Sequence, residues 1–242
     1  MKRFRLGILQ VNHDKSAEVG DQFPDDSHRF RDLLDRLDMR FEYRIYMTIG
    51  GELPDDIDEQ DGYLITGSPL SVLDDSLTWR ADLFRFIQAC DAAQKPLVGV
   101  CFGHQAIAVA LGGEVQKRQG GYNVGVETTC FHQAEPFMRP DARTLDLYMF
   151  HEDEVSALPE GAEVIGTSDG CAIAAYKKQD HIFCLQAHPE FHDRFMHAVL
   201  EFSRPHMPAQ IYQGARASME KPTDGLVFAK WLEAFFSKKL RG

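Results

Sequence analysis

The sequence predicts an α/β fold: a mostly parallel central sheet with helices on both faces, plus a small antiparallel extension. Three observations lead to it. Short apolar runs without polar alternation, such as Tyr63-Leu64-Ile65 and Pro96-Leu97-Val98, read as strands buried on both sides. Stretches with apolar residues at helical spacing separate them. The resulting order of strand, helix, strand, strand, helix, strand is the grammar of a parallel sheet covered by helices.

Phe4 to Val11 is the first expected strand, with Leu6, Ile8 and Leu9 apolar. Residues 13–26 are polar and acidic and read as a loop. Ser27 suits the cap of a helix whose Phe30, Leu33, Leu34 and Leu37 share one face. Phe41 to Met47 is a second strand, rich in aromatic residues. Gly62 to Thr66 is a third, running straight into the turn Gly67-Ser68-Pro69. An amphipathic helix is expected over about Trp79 to Ala93, ahead of the strand at Leu97. Ala106 to Leu111 is apolar on every side, as a fully buried helix is.

From Gly112 to Gln186 the texture changes. Runs such as Val164-Ile165, Cys171 to Tyr176 and Ile182 to Leu185 alternate with the turn pairs Gly120-Gly121 and Asp169-Gly170. This reads as a meander that adds strands to one edge of the sheet. After His192 the spacing of Phe195, Val199 and Phe202 returns to helix. Residues 204–224 read as a connection containing Pro and Gly. A last helix, about Gly225 to Lys239, carries Phe228, Trp231, Leu232, Phe235 and Phe236 on a broad apolar face. Residues 1–203 are thus expected to form one domain, with 204–242 an extension packed on it.

Composition narrows the possible roles. The 242 residues, 44% of them hydrophobic and only 11 of them proline, describe an ordinary globular chain with a sizeable core. No apolar run approaches the length of a membrane span, and the basic start Met1-Lys2-Arg3 is not followed by the apolar stretch of a signal peptide. A soluble, cytoplasmic protein is expected. A formal charge of -11 argues against nucleic acid as a partner, because phosphate binding needs clustered Lys and Arg. The five cysteines are scattered and no two have CxxC spacing, so reduced thiols are expected and no zinc or redox pair.

Gly99-Val100-Cys101-Phe102-Gly103 is the most informative segment. It follows a buried strand, precedes a buried helix, and has the G-x-nucleophile-x-G form with sulfur in place of oxygen. So tight a turn needs small flanking residues. It also sets the thiol at a helix N-terminus, where the dipole and free N–H groups favour thiolate. A lone buried cysteine is ordinarily structural; the elbow context changes that balance.

A cysteine nucleophile needs a base and a group that orients the base. Ten histidines are available. His188 in Ala187-His188-Pro189-Glu190 is the best placed, at the C-terminal end of the apolar run Ile182 to Leu185, on the sheet edge that would carry the elbow. Glu190 lies two residues on, so both side chains can leave one side of an extended backbone. His151 is the rival base, and His104 sits on the buried helix as a structural or lining residue. A zinc pair of His188 and His192 is disfavoured by Pro189 and the absence of HExxH. For the oxyanion, the Phe102 N–H and the backbone of Gly67 and Ser68 are the candidate donors.

Taken together, Gly99 to Gln105, Thr66-Gly67-Ser68-Pro69 and His188-Pro189-Glu190 resemble the class I glutamine amidotransferase domain, with its flavodoxin-like sheet. The likeness spans about residues 4 to 200 and is greatest to the GMP-synthase-type branch, whose H-x-D-x-V segment is similar to His151-Glu152-Asp153-Glu154-Val155. The resemblance implies that Cys101 attacks a γ-carboxamide to give a γ-glutamyl thioester. His188, oriented by Glu190, would protonate the departing ammonia and then activate water. It also implies that Gln105 helps hold the glutamate part of the substrate, with Gly121 and Tyr122 nearby, and that no cofactor or metal is needed. The sequence departs from the best-known members in having only about forty residues after this region, too few for an ATP-using domain, and no P-loop. The ammonia acceptor would be a separate synthetase, or the chain would resemble the stand-alone γ-glutamyl peptidases. Two further readings stay open: a deglycase-like or protease-like enzyme, and a non-catalytic regulatory subunit.

Overall fold

A computed structural model describes residues 3–238. Strands β1 (Phe4–Leu9), β2 (Phe41–Tyr46), β3 (Gly62–Ile65) and β4 (Leu97–Val100) alternate with helices α1 (Asp26–Leu34), α2 (Arg80–Ala92) and α3 (Phe102–Ala110). The chain continues through β5 (Glu114–Lys117), β6 (Asn123–Phe131), β7 (Thr144–His151), β8 (Asp153–Ala157), β9 (Ala162–Ser168), β10 (Cys171–Lys178) and β11 (Ile182–Leu185). Helices α4 (Asp193–Ser203), α5 (Ala209–Ser218) and α6 (Gly225–Ser237) follow. Nine strands form one mixed sheet in the order β2-β1-β3-β4-β11-β10-β9-β6-β7, and β5 pairs with β8 in a separate two-stranded sheet. The ladders from β2 to β11 are parallel; those from β11 to β7 are antiparallel.

Residue alternation explains why the central strands are apolar throughout. On β3 and β4, Leu64 and Val98 face one core, which α1 and α6 complete with Phe30, Leu34, Phe228 and Phe236. Tyr63, Ile65 and Leu97 face the other, closed by Leu83 and Ile87 of α2 and Ile107 of α3. Successive side chains of a strand point to opposite faces, so a strand covered by helices on both sides has no polar position. Helix α6 buries all five of its expected apolar residues. Burying each contributes about 1.5–3 kcal/mol, which anchors the C-terminal segment to the sheet. The expected end of this helix, Lys239, and the basic Met1-Lys2 lie outside the described residues.

Several expectations need correction. Helix α1 starts at Asp26, with Asp25 as its N-cap, and Ser27 lies inside the first turn with its N–H donated to Gln10 Oε1. The buried helix begins at Phe102, directly after the elbow as expected, and ends at Ala110. The expected antiparallel extension is present, and within it β6 and β7 pair over eight residue positions. Residues 204–224 are more than a connection, since they contain α5. Helix α5 escapes notice because Gly214 interrupts it and only Tyr212 and Ala215 are buried. On α4 the buried residues are Phe195, Met196 and Leu200; Phe202 is exposed.

Candidate active site

The elbow forms as a sharp turn between β4 and α3. Cys101 has φ 51° and ψ -104°, a conformation that costs a residue with a Cβ about 1–3 kcal/mol. The surroundings enforce it. Cys101 N–H donates to Leu185 O at 2.9 Å, and Gln105 N–H donates to Cys101 O at 3.1 Å. A Cβ on Gly99 would lie 2.5 Å from the Gly103 backbone, and one on Gly103 would lie 2.4 Å from Ile65 O. Both glycines are thus required by close backbone approach.

The bond from Cys101 to Leu185 also ties the elbow to the end of β11, and three residues further on stands His188. Its N–H donates to Tyr148 O at 2.8 Å, which bridges the segment to β7. The imidazole Nδ1–H donates to Glu190 Oε1 at 2.8 Å, with both side chains buried. The ring stacks on Phe191 at 3.9 Å between centroids and 16° between planes. Burial alone disfavours the imidazolium. The Cys101 sulfur beside the ring and the Glu190 carboxylate hydrogen-bonded to it outweigh that and push the His188 pKa up to about 10. Cys101, His188 and Glu190 therefore form one continuous chain of contacts.

Gly67 sits against this chain. A Cβ there would lie 2.7 Å from His188 Cε1 and 3.5 Å from Cys101 Cβ. Thr66 Oγ1 accepts from Val11 N–H and donates to Gly67 O, which holds the loop at the end of β3. Because stacking on Phe191 leaves His188 little room to retreat, Gly67→Ala is expected to lower kcat about 100-fold and stability by about 1–3 kcal/mol, as read by steady-state rates and denaturant melts.

Above Cys101 lies a cavity of about 170 Å³ with Ser68, Gln105, Tyr122, Phe150 and Asp153 among its walls. Gln105 reaches it but is already engaged, its Nε2 donating to Asp153 O at 2.8 Å and to Gln186 Oε1 at 3.1 Å. Tyr122 lines the cavity against Phe150, with ring centroids 6.0 Å apart. Gly121 is not in the wall; its φ of +70° serves the turn in which its N–H donates to Arg118 O. Phe102 is fully buried, and its backbone opens α3 directly after the thiol.

The competing histidines are accounted for. His151 Nδ1–H donates to Asp153 O, leaving Nε2 to accept from Asn123 Nδ2 at 3.2 Å. Burial pushes its pKa down to about 4, so it stays neutral. His104 packs on Tyr176, and burial pushes its pKa down to about 3. His192 Nδ1 accepts from Phe195 N–H as the cap of α4. Among the described residues no group of three His, Cys, Asp or Glu is placed to hold a metal ion, and no helix is long and apolar enough to cross a membrane.

Sequence reasoning missed two contributors. Phe191, the stacking partner of His188, follows Glu190 directly, and its position was a usable signal. Lys117, whose Nζ lies 3.0 Å from Glu152 and 3.1 Å from Asp153, meets them only because β5 pairs with β8. No local pattern announces that contact.

Residues 36–203 match the profile of the family described as glutamine amidotransferase class-I. Gamma-glutamyl peptidase 3 of Arabidopsis thaliana is 28% identical over 189 residues, which cover 74% of this chain and 76% of that protein. A glutamine-hydrolysing GMP synthase from Mannheimia succiniciproducens is 35% identical over 136 residues, 53% of this chain but 25% of that longer protein. The fold is also that of a glutamine amidotransferase from Thermotoga maritima, with a TM-score of 0.72, 17% identity and both chains covered in full. The profile takes in the elbow, the Gly67 loop and the His188-Pro189-Glu190 segment, and it spans well over half of the sequence. The chain belongs to the class I glutamine amidotransferase family.

Proposed function

We propose that this protein hydrolyses γ-glutamyl amide bonds through a Cys101-His188-Glu190 triad. The observation that carries the reading is the series of contacts from Cys101 through His188 to Glu190, with Cys101 in the wall of a small cavity. Cys101 Sγ attacks the carbonyl carbon of the γ-amide, and the carbonyl oxygen takes the developing charge. The backbone N–H groups of Phe102 and of the Gly67-Ser68 loop are the donors best placed to receive it. His188 gives its proton to the departing nitrogen, the C–N bond breaks, and a γ-glutamyl thioester remains. A water then attacks the thioester with His188 accepting its proton, which returns the thiol and releases glutamate. Glu190 holds the imidazole in the Nδ1–H tautomer and balances its charge.

Glutamine is one substrate of this chemistry, with ammonia released to water or to a separate synthetase. A γ-glutamyl peptide is the other. The peptide reading is favoured by the match to gamma-glutamyl peptidase 3, which covers about three quarters of both chains; the GMP synthase match covers a quarter of that enzyme. Release of ammonia, amino acid or glutamate from glutamine and a panel of γ-glutamyl dipeptides tests both, with Cys101→Ala as blank. Silence on every substrate would favour a non-catalytic role instead.

The pH profile follows from the raised His188 pKa. A proton donor must be protonated to act, so activity should persist into alkaline pH and fall as pH rises through about 10. Glu190→Gln removes one of the charges that raise this value. The alkaline limb of kcat/KM should therefore move to lower pH, and an unmoved limb would detach Glu190 from the base.

A further inference from the structure

The outer wall of the Cys101 cavity carries charge in an unequal ratio. Lys117, Glu152 and Asp153 all line it, one cation against two carboxylates. Lys117 Nζ reaches Glu152 Oε2 and Asp153 Oδ1, and the Ser71 hydroxyl donates to Asp153 Oδ2. Asp153 is thus buried, hydrogen-bonded at Oδ2 and held at Oδ1 only by the nearby Lys117 charge, whereas the Glu152 side chain is 39% exposed and only its Oε2 is engaged by Lys117. A carboxylate has two oxygens able to accept hydrogen bonds, so Glu152 can receive a further donor. A second, independent feature points to the same ligand chemistry. Tyr122 and Phe150 bring two aromatic rings into this wall, at 61° to one another, and ring faces attract organic cations.

From the Glu152 carboxylate beside the Tyr122–Phe150 ring pair, we infer that the site selects γ-glutamyl amides whose leaving amine carries a second, positively charged nitrogen. This rests on the γ-glutamyl amide hydrolysis proposed above and names the substrate class within it. The covalent chemistry is unchanged: the amide nitrogen leaves as a primary amine with the His188 proton, and its distant ammonium stays charged throughout. A leaving group ending in a carboxylate would face a net negative charge across the same wall.

Three mono-γ-glutamyl amides of similar length separate the possibilities. Those of 1,4-diaminobutane, butylamine and 4-aminobutanoate end in a positive, a neutral and a negative group, and share one glutamyl part. At low ionic strength kcat/KM is expected to fall in that order, by about three- to fivefold per step, the scale of one partly exposed charge pair. The spread should shrink at high salt, and Glu152→Gln should compress the ratio of the cationic to the anionic substrate by about the same factor. Equal rates on the three amides would overturn the proposal, because the acidic wall would then serve the shared glutamyl ammonium. A reversed order would overturn it in favour of Lys117 reading a carboxylate. No turnover of any amide or of glutamine would defeat the hydrolase reading itself, and the selectivity with it.

Discussion

Cys101→Ala is expected to remove turnover almost completely, by about 10⁴-fold or more in kcat, with the fold intact. The loss should be total rather than graded because no other thiol can substitute. Cys90, Cys171 and Cys184 are buried, and burial pushes each of their pKa values up to about 12, which keeps them protonated. Cys130 is exposed but lies on β6, away from the elbow. Alanine also takes the sulfur away from His188, so the imidazole loses one of the charges that hold its proton. Rates with each γ-glutamyl substrate, together with mass-spectrometric mapping of iodoacetamide labelling, check both points. Full turnover in the alanine variant would end the nucleophile assignment.

The second large effect falls on stability. Gly99→Ala and Gly103→Ala are each expected to lower unfolding free energy by about 3 kcal/mol, since the new methyl meets backbone at 2.5 and 2.4 Å with no flexible side chain to yield. The control is Gly214→Ala in the middle of α5, where a Cβ meets nothing within 4 Å. That change should add about 0.5–1 kcal/mol by relieving the cost of glycine in a helix. Denaturant midpoints at constant m-value measure all three. A neutral Gly103→Ala would mean that α3 can shift away from β3, and the elbow would then be less rigid than its contacts imply.

The parts that could be read from the sequence were those with a local cause. The parallel strands declare themselves because burial on both faces leaves no polar position. The elbow declares itself because two glycines must flank a residue pinned between β4 and α3. His188 and Glu190 sit two apart on one short segment, so their pairing at 2.8 Å needs no long-range information. What escaped has a non-local cause. Strands β6 and β7 mix buried and exposed positions because α4 and α5 cover only part of their surface. Helix α5 docks on β6 at Gly125, where Ser218 Oγ accepts from Val126 N–H, a contact that no periodicity encodes. Gln105 lines the Cys101 cavity as expected from its place after the elbow, but the partners of its Nε2, Asp153 O and Gln186 Oε1, come from segments far along the chain.

The position of β11 has a consequence for how the enzyme comes into being. Although it is the last strand among the described residues, it lies at the centre of the sheet, between β4 and β10. Synthesis delivers the elbow first, and domains assemble as their segments emerge. Until Ile182–Leu185 inserts, Cys101 lacks both the Leu185 carbonyl that fixes its backbone and the His188 imidazole that the same segment brings beside it. With the triad proposed above, the newborn chain would carry its sulfur unarmed, and the closing of the sheet would also be the moment of activation.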